Sequence, residues 1–331
     1  MNQILLSFTI PVVMIIFPQP ALILEQYQGN FSKQIHFNKQ INLTENKKKN
    51  NSKSKNQIIQ SSGDDIEQQN QNKLRFEQII QTVINNDLSS LTMGEVLQEV
   101  SRQFLGAVYQ AGLLDKSEQE KLFISLKQFD CVLFVETVLG ISRNIAAQDY
   151  QYETFVNNIQ NVRYANGEIN DYCSRLHYFS DWINDNEKRG NVQNITDELG
   201  GVKFAKKLNF MTTNRKLYPK LVNNEANYQC ILQREKQLNQ LDIYYIPHSQ
   251  IKAIYEKLQP GDIIAIATDI SGLDVTHTGL VYRTKEENIG FIHASPAGQV
   301  TIAQDLQTYA QNVKNAAGII VARPLNKTFS Q

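Results

Sequence analysis

The chain has 331 residues, 41% hydrophobic and 20% charged, with 33 Lys and Arg against 33 Asp and Glu. That length holds one large domain or two small ones, and the cancelled charge speaks against a nucleic-acid binder, which usually carries a basic excess. Three cysteines exclude a scaffold built from disulfides.

The chain opens with "MNQILLSFTIPVVMIIFPQPALILEQ". Its apolar core, Ile4 to Phe17, has signal-sequence length and is short for a membrane span. No lysine or arginine precedes that core, and the small-residue cleavage pattern after it is poor. Residues 1–29 are therefore read as an export signal or membrane-proximal anchor, with an ordinary apolar segment as the alternative. Membrane contact is expected only through residues 1–25. Residues 30–73 are dominated by Asn, Lys, Gln and Ser. Such a segment buries too little surface to offset its ordering entropy, which predicts a disordered linker. The run Lys47 to Lys49 reads as a solvated stretch.

Folded sequence is expected from residue 74 to residue 326, with no internal repeat. In "LTMGEVLQEVSRQFLG", Thr92 and Glu95 have capping-box spacing. Met93, Val96, Leu97, Val100 and Phe104 then recur at helical intervals. The C-terminal part reads as short strands: "GDIIAIAT", "HTGLVYR", "NIGFIHAS", "QVTI" and "AGIIVARP". Helices first and an antiparallel sheet last predict an α+β domain.

Between them stands "FDCVLFVETVLG". A helix starting near Asp130 puts Cys131, Phe134, Val135, Val138 and Leu139 on one face. One reading is a buried core cysteine. The other is a nucleophile in the first helical turn, where free N–H groups and the helix dipole favour a thiolate, with Asp130 as N-cap. This stretch alone leaves both open.

A nucleophilic cysteine asks for a histidine base and a group that orients it. Of five histidines, His36 falls in the linker, while His277 opens one predicted strand and His293 lies near the end of the next. The segment "TKEEN" between them suits a hairpin turn. If Arg283 pairs with Ile289, Gly279 faces His293, and alternation puts His277 and His293 on one face as diagonal neighbours about 7 Å apart. A register slip of one residue separates them. Taken singly, each histidine also fits a structural role. No metal site is expected: the chain has no HExxH and no CxxC, and its cysteines are widely spaced. Cys173 and Cys230 could pair in an oxidising compartment and leave Cys131 free, but spacing alone does not place two thiols together.

The ordered set "FDC" before a helix, "HTG" on one strand and "HAS" on the next resembles the NlpC-type branch of papain-like cysteine peptidases. More narrowly, the chain resembles the N-acetylmuramoyl-L-alanine amidase-like family, formerly a domain of unknown function. The likeness spans about residues 75–325, through "FLGAVYQAGLLD", "FDCVLFVETVLG", "RYANGEINDYCSRLHYFSDWINDNEKRG", "GLDVTHTGLVYR" and "GIIVARP". It implies a papain-like fold, with the nucleophile at a helix N-terminus packed on a C-terminal antiparallel sheet. It implies Cys131 as nucleophile, His277 as general base, His293 as orienter and Tyr109 beside the nucleophile, helping the oxyanion. The insert at 163–190 would shape the substrate pocket, with Arg175 and His177 facing substrate and Tyr172 and Trp182 behind them. Surface ion pairing for Arg175 and packing for Trp182 are the plainer readings.

The implied activity is cofactor-free amide hydrolysis in bacterial cell-wall muropeptides (peptidoglycan fragments), between the N-acetylmuramoyl group and L-alanine. Cleavage after D-glutamate, a non-catalytic wall-binding module, an acyl-transfer protein and a structural surface protein are the alternatives. With a true signal the protein is exported to the periplasm or cell envelope; with a false one it is cytoplasmic. Val132 and Leu133 stand where relatives often have a small polar residue, and Pro296 where a second serine is expected.

Overall fold

The computed structural model describes residues 63–85 and 91–326. The apolar leader and residues 30–62 of the expected linker lie outside the described residues. The last part of that linker is helical instead: α1 spans Gly63–Ile84. Phe76, Ile79, Ile80 and Val83 make its buried stripe, and the polar run before them extends the same helix, because propagation costs far less than nucleation. Buried Asn72, inside the expected linker, donates to the Ile124 carbonyl and accepts from the Leu126 N–H.

The second helix, α2 (Met93–Arg102), starts with both arms of the expected capping box between Thr92 and Glu95. Two short strands, β1 (Val108–Tyr109) and β2 (Gln128–Phe129), then pair in parallel, Tyr109 against Phe129. The chain passes directly from β2 into α3 (Cys131–Ala146), whose N-cap Asp130 accepts from the Leu133 N–H at 2.8 Å. This helix is buried on nearly every side, from Leu133 through Ile145, so the single apolar face expected of it is too narrow. It lies between α2, α4 (Tyr152–Arg163) and the main sheet. The insert follows, with α5 at Phe179–Lys188.

Further along come β3 (Val192–Asn194), β4 (Val202–Lys203), α6 (Phe210–Thr213), α7 (Pro219–Val222) and α8 (Glu225–Leu238). A disulfide joins Cys173 of the insert to Cys230 of α8, leaving Cys131 as the free thiol. The remaining elements are β5 (Tyr244–Pro247), a 3-10 segment at His248–Lys257, β6 (Ile263–Thr268), β7 (Val275–Arg283), β8 (Ile289–Ala294), β9 (Val300–Ala303), α9 (Leu306–Asn312) and β10 (Ala316–Pro324).

The sheet runs β4-β5-β10-β6-β7-β8-β9, with β3 also on β10, and its pairs are antiparallel. Alternation sends Ile263, Ala265, Leu280 and Ile292 into the core shared with α3. It sends Ile264, Ile266, Val281 and Phe291 into a second core with Ile251, Leu258 and Leu306. The sheet is thus the middle of three layers in a mixed α+β fold. Double coverage explains why β6 reads as an unbroken apolar run.

Candidate active site

The site is assembled where β1, α3, β7, β8 and α9 meet. The β7–β8 hairpin has the register that joins Arg283 to Ile289. His277 and His293 consequently share a face, and His277 Nε2 lies 2.8 Å from His293 Nδ1. The glycine of His-Thr-Gly has a packing reason. A Cβ on Gly279 would come within 2.7 Å of the Phe291 ring and 2.6 Å of the Ile292 carbonyl oxygen. That Phe291 ring stacks on His293, with ring centroids 4.8 Å apart. Just before His277 the pairing with β6 slips: Ile266 pairs with His277 and Ala267 with Val275, leaving Thr276 as a bulge. Bulges of this kind re-aim the neighbouring side chain.

Cys131 is buried at the N-terminus of α3. The backbone N–H of Thr278, next to His277, faces the thiol closely enough to favour its charged form. Burial drives the thiol pKa strongly upward, and the charge of Asp130 adds to this; the N–H groups of Thr278, Val132 and Cys131 pull the other way. Burial pushes His277 well below the ordinary imidazole range, helped by His293, and brings His293 down to about 3. Thiol and imidazoles are therefore all neutral at rest. His277 Nε2 is held by His293, while its Nδ1 is buried with no hydrogen-bond partner among the described residues. That nitrogen is free to take a proton.

Tyr109 is carried to Cys131 by β1, which pairs with β2 directly ahead of that cysteine and is tied to the β8–β9 turn by the Tyr109 N–H to Gly298 carbonyl bond. Its hydroxyl is pushed upward by burial first and then by the charges of Cys131 and Asp130, so it is a neutral donor. Tyr309 of α9 was not anticipated. Its ring lies 4.6 Å from that of His293 and 6.0 Å from that of His277, and after burial it is the Cys131 charge that raises its hydroxyl pKa. Its ring thus packs on the histidine pair while its hydroxyl lies within electrostatic reach of the sulfur. Leu306, Tyr309 and Ala310 sit at helical spacing, the one signal that pointed Tyr309 inward.

The four residues expected around substrate are all in the interior. Arg175 is 4% exposed, held by Asp115 at 2.7 Å and facing Glu120 at 3.6 Å, with its guanidinium over the Tyr172 ring. A buried guanidinium requires such counter-charges, yet Arg175 Nε and Nη1 and Asp115 Oδ2 have no hydrogen-bond partners among the described residues. His177 donates from Nε2 to the Tyr172 carbonyl. Trp182 stacks on Phe179 and donates to Glu136 of α3, whose other oxygen accepts from Arg163 at 2.7 Å. Trp182 thus braces the Cys131 helix from behind. Among the described residues no His, Cys, Asp and Glu cluster is arranged to hold a metal ion.

Two hollows among the described residues differ in their relation to this region. One of about 470 Å³ lies against α1, lined by residues such as Leu74, Arg75 and Leu105, away from the candidate catalytic side chains. The other, about 450 Å³, is lined by His293 and Tyr309.

A crystal structure of a N-acetylmuramoyl-L-alanine amidase from Bacteroides uniformis ATCC 8492 is similar to this chain, with 28% identity and a TM-score of 0.67 over 70% of this chain and 98% of that one. A Bacteroides fragilis protein provisionally named a xylanase matches at 32% identity and a TM-score of 0.59, over 67% of this chain and 98% of that one. A Legionella pneumophila protein shares the fold at 21% identity and a TM-score of 0.60, over 78% of this chain and 96% of that one. No curated protein matches. The profile of the N-acetylmuramoyl-L-alanine amidase-like family matches residues 99–319. The chain belongs to the N-acetylmuramoyl-L-alanine amidase-like family.

Proposed function

We propose that this protein is a cysteine amidase of the NlpC-type papain-like kind. It hydrolyses the amide between the N-acetylmuramoyl group and L-alanine in cell-wall muropeptides. The observation that carries this reading is the division of labour on His277: Nε2 is engaged by His293, while Nδ1 is buried without a partner among the described residues, next to Thr278, whose backbone N–H favours the charged form of the Cys131 thiol.

In the productive tautomer His277 carries its proton on Nε2 and donates it to His293 Nδ1. Nδ1 then takes the thiol proton as the Cys131 sulfur attacks the carbonyl carbon of the lactyl amide. The carbonyl π electrons move to oxygen. The oxyanion accepts from the Cys131 backbone N–H, at the α3 N-terminus, and from the Tyr109 hydroxyl; one such donor contributes about 3 kcal/mol in the transition state. The C–N bond breaks as His277 Nδ1–H protonates the departing L-alanine amine. Water, deprotonated by His277, then attacks the thioester, and the lactyl carboxylate and the thiol are released. No cofactor enters these steps.

The family membership and the Bacteroides uniformis neighbour support the choice of bond. A glycosidase would need two carboxylates flanking the scissile bond, whereas Asp130, the carboxylate next to Cys131, is engaged in capping α3. The Cys173–Cys230 disulfide fits an oxidising compartment, and together with the apolar leader it supports an exported enzyme acting in the periplasm or cell envelope.

The test is a digest of purified muropeptides by the full chain beside its Cys131→Ala variant, resolved by mass spectrometry. Release of stem peptide with a free L-alanine amine, lost in the variant, is expected. Products beginning at the diamino acid would move the assignment to an endopeptidase. Equal cleavage by both chains would remove Cys131 from the chemistry.

A further inference from the structure

The two histidines belong to a cluster of four rings. His277, Phe291, His293 and Tyr309 lie 4.6 to 6.0 Å from one another, centroid to centroid, in every pairing, the range in which aromatic rings pack. The three rings supplied by β7 and β8 are closed to solvent: His277 and Phe291 are 0% exposed and His293 is 2%. Tyr309, from α9, is only partly buried and is the outer member of the cluster. It also lines the 450 Å³ hollow with His293, whereas neither His277 nor Phe291 reaches that hollow. We infer that Tyr309 is a positioning residue: its ring closes the histidine pair off from solvent on the side of the hollow and holds His293 against His277.

The surroundings leave this task to the cover. Neighbouring elements bring few titratable groups to this end of the sheet: Tyr109 of β1, Cys131 of α3 with its cap Asp130, and Tyr309 of α9 with its cap Asp305. Asp305 is engaged, since Oδ1 accepts from the Thr308 N–H at 2.7 Å and Oδ2 from the Tyr255 hydroxyl at 3.0 Å. β6 and β9 carry no titratable side chain, and α2 meets the far end of β7, where Gln98 accepts from the Arg283 N–H. Among the described residues no carboxylate bonds either imidazole; each ring's hydrogen bond is to the other. Both rings are therefore held uncharged by exclusion of water first, and water admitted beside them would return them towards ordinary histidine behaviour. Tyr309 acts through the pair and is not placed on substrate. That the covered ring is a catalytic base rests on the cysteine-amidase reading; the cover itself does not.

Two readouts on the full chain test it: nitrogen NMR of the histidine side chains at about pH 7.5 and about pH 5, and kcat/KM for N-acetylmuramoyl-L-alanyl-D-glutamate at the same values. In the parent the pair stays neutral at both. Tyr309→Ala should protonate the pair at the lower pH. It should also raise the ratio of the two rates by up to about thirtyfold over the parent's, the factor by which an imidazole titrating at its ordinary value loses its neutral form over that interval. Tyr309→Leu fills more of the space, should move both readouts the same way by less, and replaces the alanine chain if that chain does not fold. Tyr309→Phe keeps the ring and should leave the protonation and the ratio where the parent has them. A pair as neutral at the lower pH in the alanine and leucine chains as in the parent overturns the cover. So does a phenylalanine chain that titrates like the alanine one, because the hydroxyl and not the ring would then be responsible. Expected nitrogen shifts in a protein that hydrolyses no amide keep the cover and remove the amidase reading; hydrolysis with unmoved nitrogen signals does the reverse.

Discussion

Asp130 offers the sharpest test of the electrostatics around Cys131. Its carboxylate caps α3 through the Leu133 N–H, but burial raises its pKa from 3.8 to about 6. The charge of Glu136 adds to the rise, while the Leu133 and Val132 N–H groups and Arg163 oppose it. An acid whose folded pKa lies above its unfolded value stabilises the fold while protonated. That contribution is complete below the unfolded pKa and is lost as pH rises through the folded one. About two pK units correspond to about 3 kcal/mol. Asp130→Asn keeps an oxygen to accept from Leu133, since Asn caps helices as well as Asp does, and it removes the penalty for the charge. Urea unfolding should therefore find the variant more stable than the parent by up to about 3 kcal/mol near pH 8, with the gap closing below about pH 4. Asp130→Ala loses the cap and should trail Asp130→Asn by about 1 kcal/mol at both pH values. Because the Asp130 charge also raises the Cys131 thiol pKa, Asp130→Asn should speed alkylation of Cys131. An Asn variant no more stable than the parent near pH 8 would mean instead that the N–H groups satisfy the Asp130 carboxylate in full.

The buried histidines act in the opposite direction with pH. His177, His277 and His293 are held neutral by burial, below their ordinary value of 6.5. Their contribution is complete above that value and is lost as pH falls below it, towards about 3 for His293. The parent's urea midpoint should fall between about pH 7 and pH 5, and the acid limb of kcat/KM should lie well below 6.5; a half-loss of activity near 6.5 would show a solvated base. The Cys173–Cys230 bond closes a sequence separation of 57 residues, for which loop-closure entropy gives about 4 kcal/mol as a ceiling. Cys230→Ser should lower the urea midpoint of the oxidised chain, and midpoints that coincide with and without reductant would show that the bond contributes nothing.

Local signals carried most of what was readable in the chain. The capping box at Thr92, the Asp130 cap and the hairpin between Arg283 and Ile289 are each set by residues within a few positions of one another. Alternation then brought the two histidines onto one face without any tertiary information. What stayed hidden is non-local. The counter-charges that take Arg175 inside, Asp115 and Glu120, precede it by more than fifty residues. No local pattern marks the Thr276 bulge, because it depends on the slip against β6. The start of α1 was obscured by a composition that is polar on one side only because the next turns bury the stripe.

The chemistry of the site follows from where its charges are absent. A thiolate–imidazolium pair formed before substrate arrives would place two ions in a space from which burial excludes both, and removing an ion from water costs several kcal/mol. The neutral pair avoids that cost. In the proposed mechanism it requires the thiol proton to reach His277 Nδ1 as the sulfur attacks, at the moment when negative charge passes to an oxygen that the Cys131 N–H and Tyr109 would hold. Under that proposal His293 Nδ1 accepts from His277 Nε2, 2.8 Å away, and so selects the tautomer that leaves His277 Nδ1 without a proton. His293→Gln retains a hydrogen-bonding side chain but not the imidazole's geometry. A burial-controlled base of this kind is therefore more sensitive to how its ring is held than to its intrinsic basicity. That is why the packing of Phe291, Tyr309 and Gly279 around the two rings belongs to the catalytic argument as much as to the fold.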